Sequence, residues 1–336
     1  MTTISDVATH AGVSIATVSR ALSNYGRINP TTREKVLTSV GALHYSPNRS
    51  ARNLRRNQTG VILILTPNMT NPYYASILTG ISDTATLHGS AAFICNTLDD
   101  QDRTIAALDR LRQHQADGAI LLSTDTDSTW LDDYAADFPL VLCSEFLPGH
   151  DIAHVSIDNR AASCDVMRYL LGLEHTRIAH LSADNTYQST LDRLAGYRES
   201  LIAAGITPVP EYVVYGSPDY SFSSGKAAAQ ALLDLSEPPT AIFCISDTLA
   251  MGAVVAAQEA GLRVPDDISI TGFDDVAVNE VIRPQLTTLA QPCYALGVTS
   301  ATALFALIGH EPTPLEHVLD HHLVIRQSSG IKTVRV

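Results

Sequence analysis

Ile4-Ser-Asp-Val-Ala-Thr-His-Ala-Gly-Val-Ser-Ile-Ala-Thr-Val-Ser-Arg-Ala-Leu22 reads as two short helices broken at Gly12-Val13. Ile4, Val7, Ala8 and Ala11 recur at helical spacing, and Ala16, Thr17, Val18, Ala21 and Leu22 repeat it after the glycine. Neither piece is long enough to bury itself alone, so the two must pack together. Asp6 supports the start of the first helix. Ser14 is a natural N-cap for the second, its oxygen accepting a first-turn N–H that otherwise has no partner. In a helix-turn-helix the N-terminal side chains of the second helix reach base edges in the major groove, which nominates Ile15, Ala16 and Arg20. Arg20 can grip a guanine bidentately; Ile15 and Ala16 can only touch thymine methyls or discriminate by shape. An ordinary helical hairpin would show the same periodicity.

Charge separates these readings. Residues 1–58 carry eight Arg and Lys against Asp6 and Glu34, a balance of +6, whereas the whole chain of 336 residues stands at −13, leaving −19 on the remainder. A basic head attracts a phosphate backbone whatever its sequence, and an acidic body keeps the wrong surface off DNA. The asymmetry favours DNA binding. Residues 29–43 add a capped third helix with Val36, Leu37, Val40 and Leu43 as its apolar positions. Residues 45–56 then form an arginine-rich helix opened by Pro47-Asn48, in which Leu54 is the one large aliphatic side chain. Leu54 is either a linker residue packed on the body or a wedge for a base step, of the kind that kinks the minor groove.

The motifs Asp6-Val-Ala8, Ala11-Gly-Val-Ser14, Thr17-Val-Ser-Arg20, Thr32-Arg33, Tyr45-Ser-Pro-Asn48, Asp117-Gly118, Asp158-Asn159, Arg193-Leu-Ala-Gly-Tyr197 and Gly272-Phe-Asp274 together resemble the lac repressor family of bacterial transcription regulators, from Ile4 to about Gly330. The resemblance implies a small all-α helix-turn-helix head with a hinge helix, followed by a two-lobe α/β core of parallel sheets like that of periplasmic binding proteins. The expected segments are the head at 1–46, the hinge helix at 47–58, an N-lobe of 59–158 plus 290–319, and a C-lobe of 159–289 plus 320–336. The resemblance makes Leu54 the hinge wedge and Arg55 its minor-groove neighbour. The expected DNA-contacting set is then Ser14, Ile15, Ala16, Thr17, Ser19, Arg20, Asn24, Tyr45, Asn48, Ala51, Leu54 and Arg55.

Beyond Gly60, apolar strands at 61–65, 91–95, 119–122 and 140–143 alternate with amphipathic helices at 74–88 and 104–114. A second set follows, with strands at 178–181, 212–215, 241–245 and 268–272 and helices near 191–204, 224–233 and 247–260. Pattern alone predicts two consecutive α/β domains; the resemblance implies three crossings between lobes, placed near Asp158, Leu289 and Leu319.

Ligands collect beyond the carboxyl ends of parallel strands. The turn after the first strand, Thr66-Pro-Asn-Met-Thr-Asn-Pro-Tyr-Tyr74, is one the family uses for effector contact and supplies Asn71, Tyr73 and Tyr74, although Tyr74 would equally serve to staple its helix. Asp158, Arg193, Asp247 and Asp274 match family positions that hydrogen-bond polar effectors, and Tyr220 one that lays an aromatic face on them. Gln188 and Ser189 fall in a stretch that varies with effector. The runs 143–146, 238–244 and 286–292 look most like a nucleoside-responsive branch, so a nucleoside such as cytidine is the first expectation and a pentose or hexose the second.

The resemblance further implies a homodimer on a pseudo-palindromic DNA operator, since two heads must meet half-sites about one helical turn apart. With no C-terminal leucine heptad, a dimer is expected rather than a tetramer. No apolar run reaches membrane-spanning length and no signal-peptide pattern opens the chain, so a cytoplasmic protein is expected. Cys95, Cys143, Cys164, Cys244 and Cys293 are odd in number, widely spaced and set in apolar stretches, which reads as reduced core thiols. No phosphate loop, His-Glu-x-x-His or paired cysteines are present, so neither enzyme activity, metal nor cofactor is expected. Residues 124–128 resemble the start of a calcium loop without its later glycine and glutamate, and read instead as a capping turn before Trp130. A secreted solute-binding protein would share the lobes but have no use for the basic head.

Overall fold

A computed structural model describes residues 2–23, 28–45 and 58–332. The expected hinge helix, all but its last residue, lies outside the described residues, and with it Asn48, Ala51, Leu54 and Arg55; Asn24 lies outside them as well. The chain divides into two units, Met1–Thr59 and Gly60–Val336.

In the first unit, α1 (Ile4–Ala11), α2 (Ile15–Ser23) and α3 (Pro30–Ala42) close around Val7, Ala8, Val18, Ala21 and Val36. Thr3 caps α1, and the Asp6 carboxylate accepts both the Thr3 N–H and its hydroxyl at 2.8 Å, a reciprocal capping box. Those hydrogen bonds hold the Asp6 carboxyl below its ordinary range. Gly12 ends α1 at φ 64°, a left-handed turn that favours glycine. Ser14 Oγ then accepts the Thr17 N–H at 3.2 Å and starts α2. Asn29 caps α3 by accepting the Thr31 N–H at 3.0 Å.

The second unit holds two six-stranded sheets. The first is parallel throughout, ordered β2 (Ala91–Asn96), β1 (Val61–Thr66), β3 (Gly118–Leu121), β4 (Leu140–Cys143), β5 (Ala153–Ile157) and β11 (Glu316–Leu319). The second runs β7 (Val213–Gly216), β6 (Ile178–Ala183), β8 (Ala241–Cys244), β9 (Ser269–Asp274), β10 (Thr287–Ala290) and β12 (His322–Val324), with β12 alone antiparallel. Every residue of β3, β4, β6, β8, β9 and β10 is buried, as strands covered on both faces are; β3, β4 and β8 are apolar throughout, while β6, β9 and β10 also bury polar residues such as His180, Thr271 and Thr288. The chain leaves the first sheet after β5, returns after β10, and crosses again in the two residues between β11 and β12. The five cysteines are free thiols, Cys143 and Cys244 buried and the others half-buried. No described helix is long and apolar enough to cross a membrane.

Two of the sequence motifs acquire physical meaning here. In Arg193-Leu-Ala-Gly-Tyr197, a Cβ on Gly196 would stand 2.5 Å from the Arg160 carbonyl oxygen, so glycine lets the helices Asn159–Gly172 and Gln188–Ala203 close. In Gly272-Phe-Asp274, a Cβ on Gly272 would meet Asp247 Oδ1 at 2.2 Å.

Candidate functional site

The carboxyl ends of the strands in both sheets border one cavity between the lobes, a space of about 380 Å³ that is continuous with open solvent. Of the residues nominated from sequence, Asn71, Tyr73, Tyr74, Ser189, Arg193, Tyr220 and Asp274 line it. Leu122, Ser144, Glu145, Tyr187 and Ser246 join them. Four of these five sit within two residues of a strand's carboxyl end, so the same strand-end rule singles them out when applied to β3, β4 and β8 as it was to β1. A narrower mouth of about 190 Å³ adds Pro67, Asn68, Asp99, Pro218 and Asp219.

The tyrosines are positioned by their loops. Asn71 Oδ1 accepts the Tyr73 N–H at 3.0 Å and opens the helix Tyr73–Leu87, and the two rings pack edge to face at 5.1 Å. Ser144 shares a 2.7 Å hydrogen bond with the Tyr73 hydroxyl, which donates on to Gln291 Oε1 at 3.3 Å; Gln291 Nε2 in turn donates to Asp274 Oδ1 at 2.8 Å. Tyr220 stands at φ 55°, its hydroxyl taking the Asn185 amide at 3.0 Å and bonding Thr190 Oγ1 at 3.1 Å. Burial pushes that phenol up to about 12.

Arg193 is 7% exposed; its Nε donates to Asn159 Oδ1 at 2.9 Å, its Nη1 to the Ile245 carbonyl at 2.7 Å, and its Cζ lies 3.7 Å from the centre of the Phe273 ring. Glu145, 5% exposed, reaches across the cleft: one carboxylate oxygen accepts the Ser189 N–H at 3.0 Å and the other the Ser189 hydroxyl. The helix Gln188–Ala203 has no side-chain cap of its own, so a carboxylate of the first lobe serves the N-terminus of a helix in the second. Burial raises the Glu145 carboxyl to about 7 against the opposing pull of Ser189 and Arg193. Asp274 is likewise pushed up, by burial and by the neighbouring Asp247.

At the mouth the Tyr187 hydroxyl donates to Asp99, and Thr186 Oγ1 donates to Asp125 Oδ1 at 2.8 Å, two further ties between lobes. The 124–128 run is therefore not a side-chain cap for the helix Leu131–Asp137, whose start has none; Asp125 is turned toward the second lobe instead.

Three nominated residues stand outside the cavity lining. Asp158 is exposed and caps the helix Asn159–Gly172 through the Ala161 N–H at 2.8 Å, leaving its neighbour Asn159 to hold Arg193. Gln188 donates to Asp192 Oδ1 at 2.8 Å along its own helix. Asp247 is fully buried and turns backward, accepting the Val276 N–H at 2.9 Å, the Asn279 amide at 2.7 Å and the Thr288 hydroxyl. It holds the turn from which Val276 packs into the core beneath the first sheet.

On the head, Ile15 is 46% exposed and Ala16 and Arg20 are exposed on the same helix, while Thr17 and Ser19 are half-buried. Arg20 Nε donates to the Ala16 carbonyl at 3.3 Å. Tyr45 packs on the head core rather than standing clear of it. Among the described residues no group of three or more His, Cys, Asp or Glu could hold a metal ion.

Comparison with known proteins bears on both units. Residues 3–48 match "Bacterial regulatory proteins, lacI family", and residues 59–325 match "Periplasmic binding proteins and sugar binding domain of LacI family". The chain is 36% identical over 331 residues to the HTH-type transcriptional repressor CytR of Escherichia coli (strain K12), covering 97% of this chain and 96% of that one. Among solved structures, the lac repressor dimer bound to operator and an anti-inducer superposes with a TM-score of 0.88 at 28% identity, over 98% of this chain and 99% of that one. A complex of the transcriptional regulator CelR with cellobiose gives 0.74 at 29% identity, over 98% and 100%. With its head and its two-lobe body both matched, the chain belongs to the lacI family of bacterial DNA-binding transcription regulators.

Proposed function

We propose that this regulator is a cytoplasmic homodimeric repressor that reads a pseudo-palindromic operator through α2 and releases it when a nucleoside, cytidine first, fills the cavity between the lobes. The observation that carries the reading is the cavity wall itself, which combines two aromatic residues, Tyr74 and Tyr220, with the polar groups of Glu145, Arg193 and Asp274. Flat rings suit stacking on a base or sugar face, and carboxylates with a guanidinium suit hydroxyls and exocyclic amines. The sequence runs resembling the nucleoside-responsive branch and the identity to CytR support the same choice. A sugar is the second reading, favoured by the CelR structure with cellobiose.

Glu145–Ser189 and Asp99–Tyr187 tie residues of one lobe to residues of the other, so a ligand seated among them changes the balance between lobe arrangements. Coupling to DNA then runs through residues 47–58, where the family resemblance assigns Leu54 and Arg55 to the minor groove. Phe93, Ile94 and Leu98, exposed on and beside the edge strand β2, support pairing of two copies.

Thermal shifts of the purified protein against cytidine, uridine, adenosine, inosine, ribose and hexoses test the effector, since a ligand at 100 times its dissociation constant adds about 2.7 kcal/mol. A selective nucleoside shift followed by loss of operator anisotropy is the expected result; a sugar-only shift replaces the effector, and tighter DNA binding with ligand overturns release. Arg20→Ala should cost about 1–3 kcal/mol on a selected operator and relax base choice at one position. Equal losses on selected and random DNA would remove Arg20 as a reader.

A further inference from the structure

The cavity and its mouth share Asn71, Tyr74, Tyr187 and Tyr220, so a ligand in the inner space presents any extension to the mouth. Four carboxyl groups border the combined space, Glu145 and Asp274 inside and Asp99 and Asp219 at the mouth. Among the described lining residues Arg193 alone carries a positive charge. That guanidinium is partly committed: Nε donates to Asn159, one N–H of Nη1 to the Ile245 carbonyl, and one face is covered by Phe273, so its Nε edge is closed to a bidentate grip. A bidentate phosphate grip needs two parallel free N–H groups on one edge of the fork.

The mouth offers an anion nothing better. Burial pushes the Asp219 carboxyl up, but hydrogen bonds from the Ser217 hydroxyl and the Ser221 N–H outweigh it and hold the group ionised. Burial pushes the Asp99 carboxyl up against the pull of the Tyr187 and Ser123 hydroxyls, both neutral donors to it. At the mouth the charged lining groups, Asp99 and Asp219, are of one sign, and a cleft focuses the field of such groups on whatever enters. Hydroxyl and amine donors meet acceptors there; a phosphate dianion meets carboxylates.

Resting on the cavity as the effector site, we propose that it is a charge filter, taking an uncharged hydroxyl-bearing ligand and rejecting the phosphate ester of the same compound, with Asp99 and Asp219 at the mouth setting the rejection. The regulator thus senses a free nucleoside or sugar, upstream of the phosphorylation that a kinase would carry out on it.

The test uses the full-length protein and matched pairs: cytidine and its 5′-monophosphate, ribose and ribose 5-phosphate, glucose and glucose 6-phosphate. Calorimetry should show the free member of the binding pair held about tenfold or more tighter than its ester, with the gap narrowing at high salt. In the double variant Asp99→Asn, Asp219→Asn, which keeps the acceptor oxygens for Tyr187 and Ser221, the gap should shrink severalfold while circular dichroism stays unchanged. An ester that binds as well as its parent overturns the filter and leaves the effector site standing. A gap unmoved by the double variant overturns the role of the mouth. Silence from every pair removes the effector reading itself, and the filter with it.

Discussion

Two serine–acid pairs stand just past buried strands, Ser144-Glu145 after β4 and Ser246-Asp247 after β8, and their carboxylates go opposite ways. Glu145 points into the cavity and grips Ser189 of the other lobe; Asp247 turns into its own lobe and collects three donors from Val276, Asn279 and Thr288. The local backbone accounts for the difference. Asp247 is the first residue of the helix Asp247–Glu259, capped by Ser246, and its side chain turns toward the loop after β9 and toward Thr288 of β10. Ser144 stands at φ 75° and no helix follows it, which leaves Glu145 aimed across the cleft. In these two pairs the acid borders the cavity where no helix begins at it and turns into its own lobe where one does.

The largest expected break in this comparison is Asp247→Ala. It strands three buried donors, and chemical denaturation of the body should show a loss of about 3–5 kcal/mol. Effector affinity per folded molecule should stay near that of the parent; a stable variant with lost affinity would return Asp247 to the cavity wall.

Glu145→Gln should do the reverse, folding normally while weakening effector binding about tenfold, the scale of one buried hydrogen bond. It also bears on pH. Burial places the Glu145 carboxyl at about 7 in the folded protein against an ordinary 4.5. The folded state therefore holds a proton that the unfolded chain has released, so this group's contribution is full below the lower value and is lost as pH rises through the upper one. Over that window it amounts to about 3 kcal/mol. Asp247 and Asp274, raised in the same direction, add the same sign. Stability should fall from about pH 5 to about pH 8, and less steeply in Glu145→Gln; parallel curves for variant and parent would show that Glu145 does not titrate there.

Asp158→Ala gives the smallest effect. Loss of one N-cap should cost about 1 kcal/mol, with effector affinity unchanged in the same calorimetry that reads Glu145→Gln. A loss of affinity would place Asp158 at the ligand after all.

The head was readable residue by residue because its determinants are local. Thr3, Asp6, Gly12 and Ser14 act on backbone within three or four residues of themselves, and the apolar spacing of α1 and α2 names the core they share. β1 to β4, β6 to β9 and several helices of the body follow from period and length in the same way, whereas β5, β10 and β11 and the helices Leu131–Asp137, Asn159–Gly172 and Cys293–Ile308 lie outside the alternation that the pattern displays. Seven of the ten nominated cavity residues converge. The three that do not are polar groups beside helix starts, where a side chain can satisfy backbone or a buried loop instead of facing outward.

What the sequence by itself determined was the helix-turn-helix with its exposed reading face, the basic head on an acidic chain, and the alternation that makes parallel sheets, since each depends on neighbours in the chain or on summed charge. Only the tertiary structure decided which acids face the cavity. Glu145 and Ser189 are 44 residues apart and belong to different lobes, and their meeting depends on three crossings and on close helix packing at Gly196. Burial, which moves a carboxyl from an ordinary value to one near 7, is a property of that assembly and has no counterpart in a linear pattern.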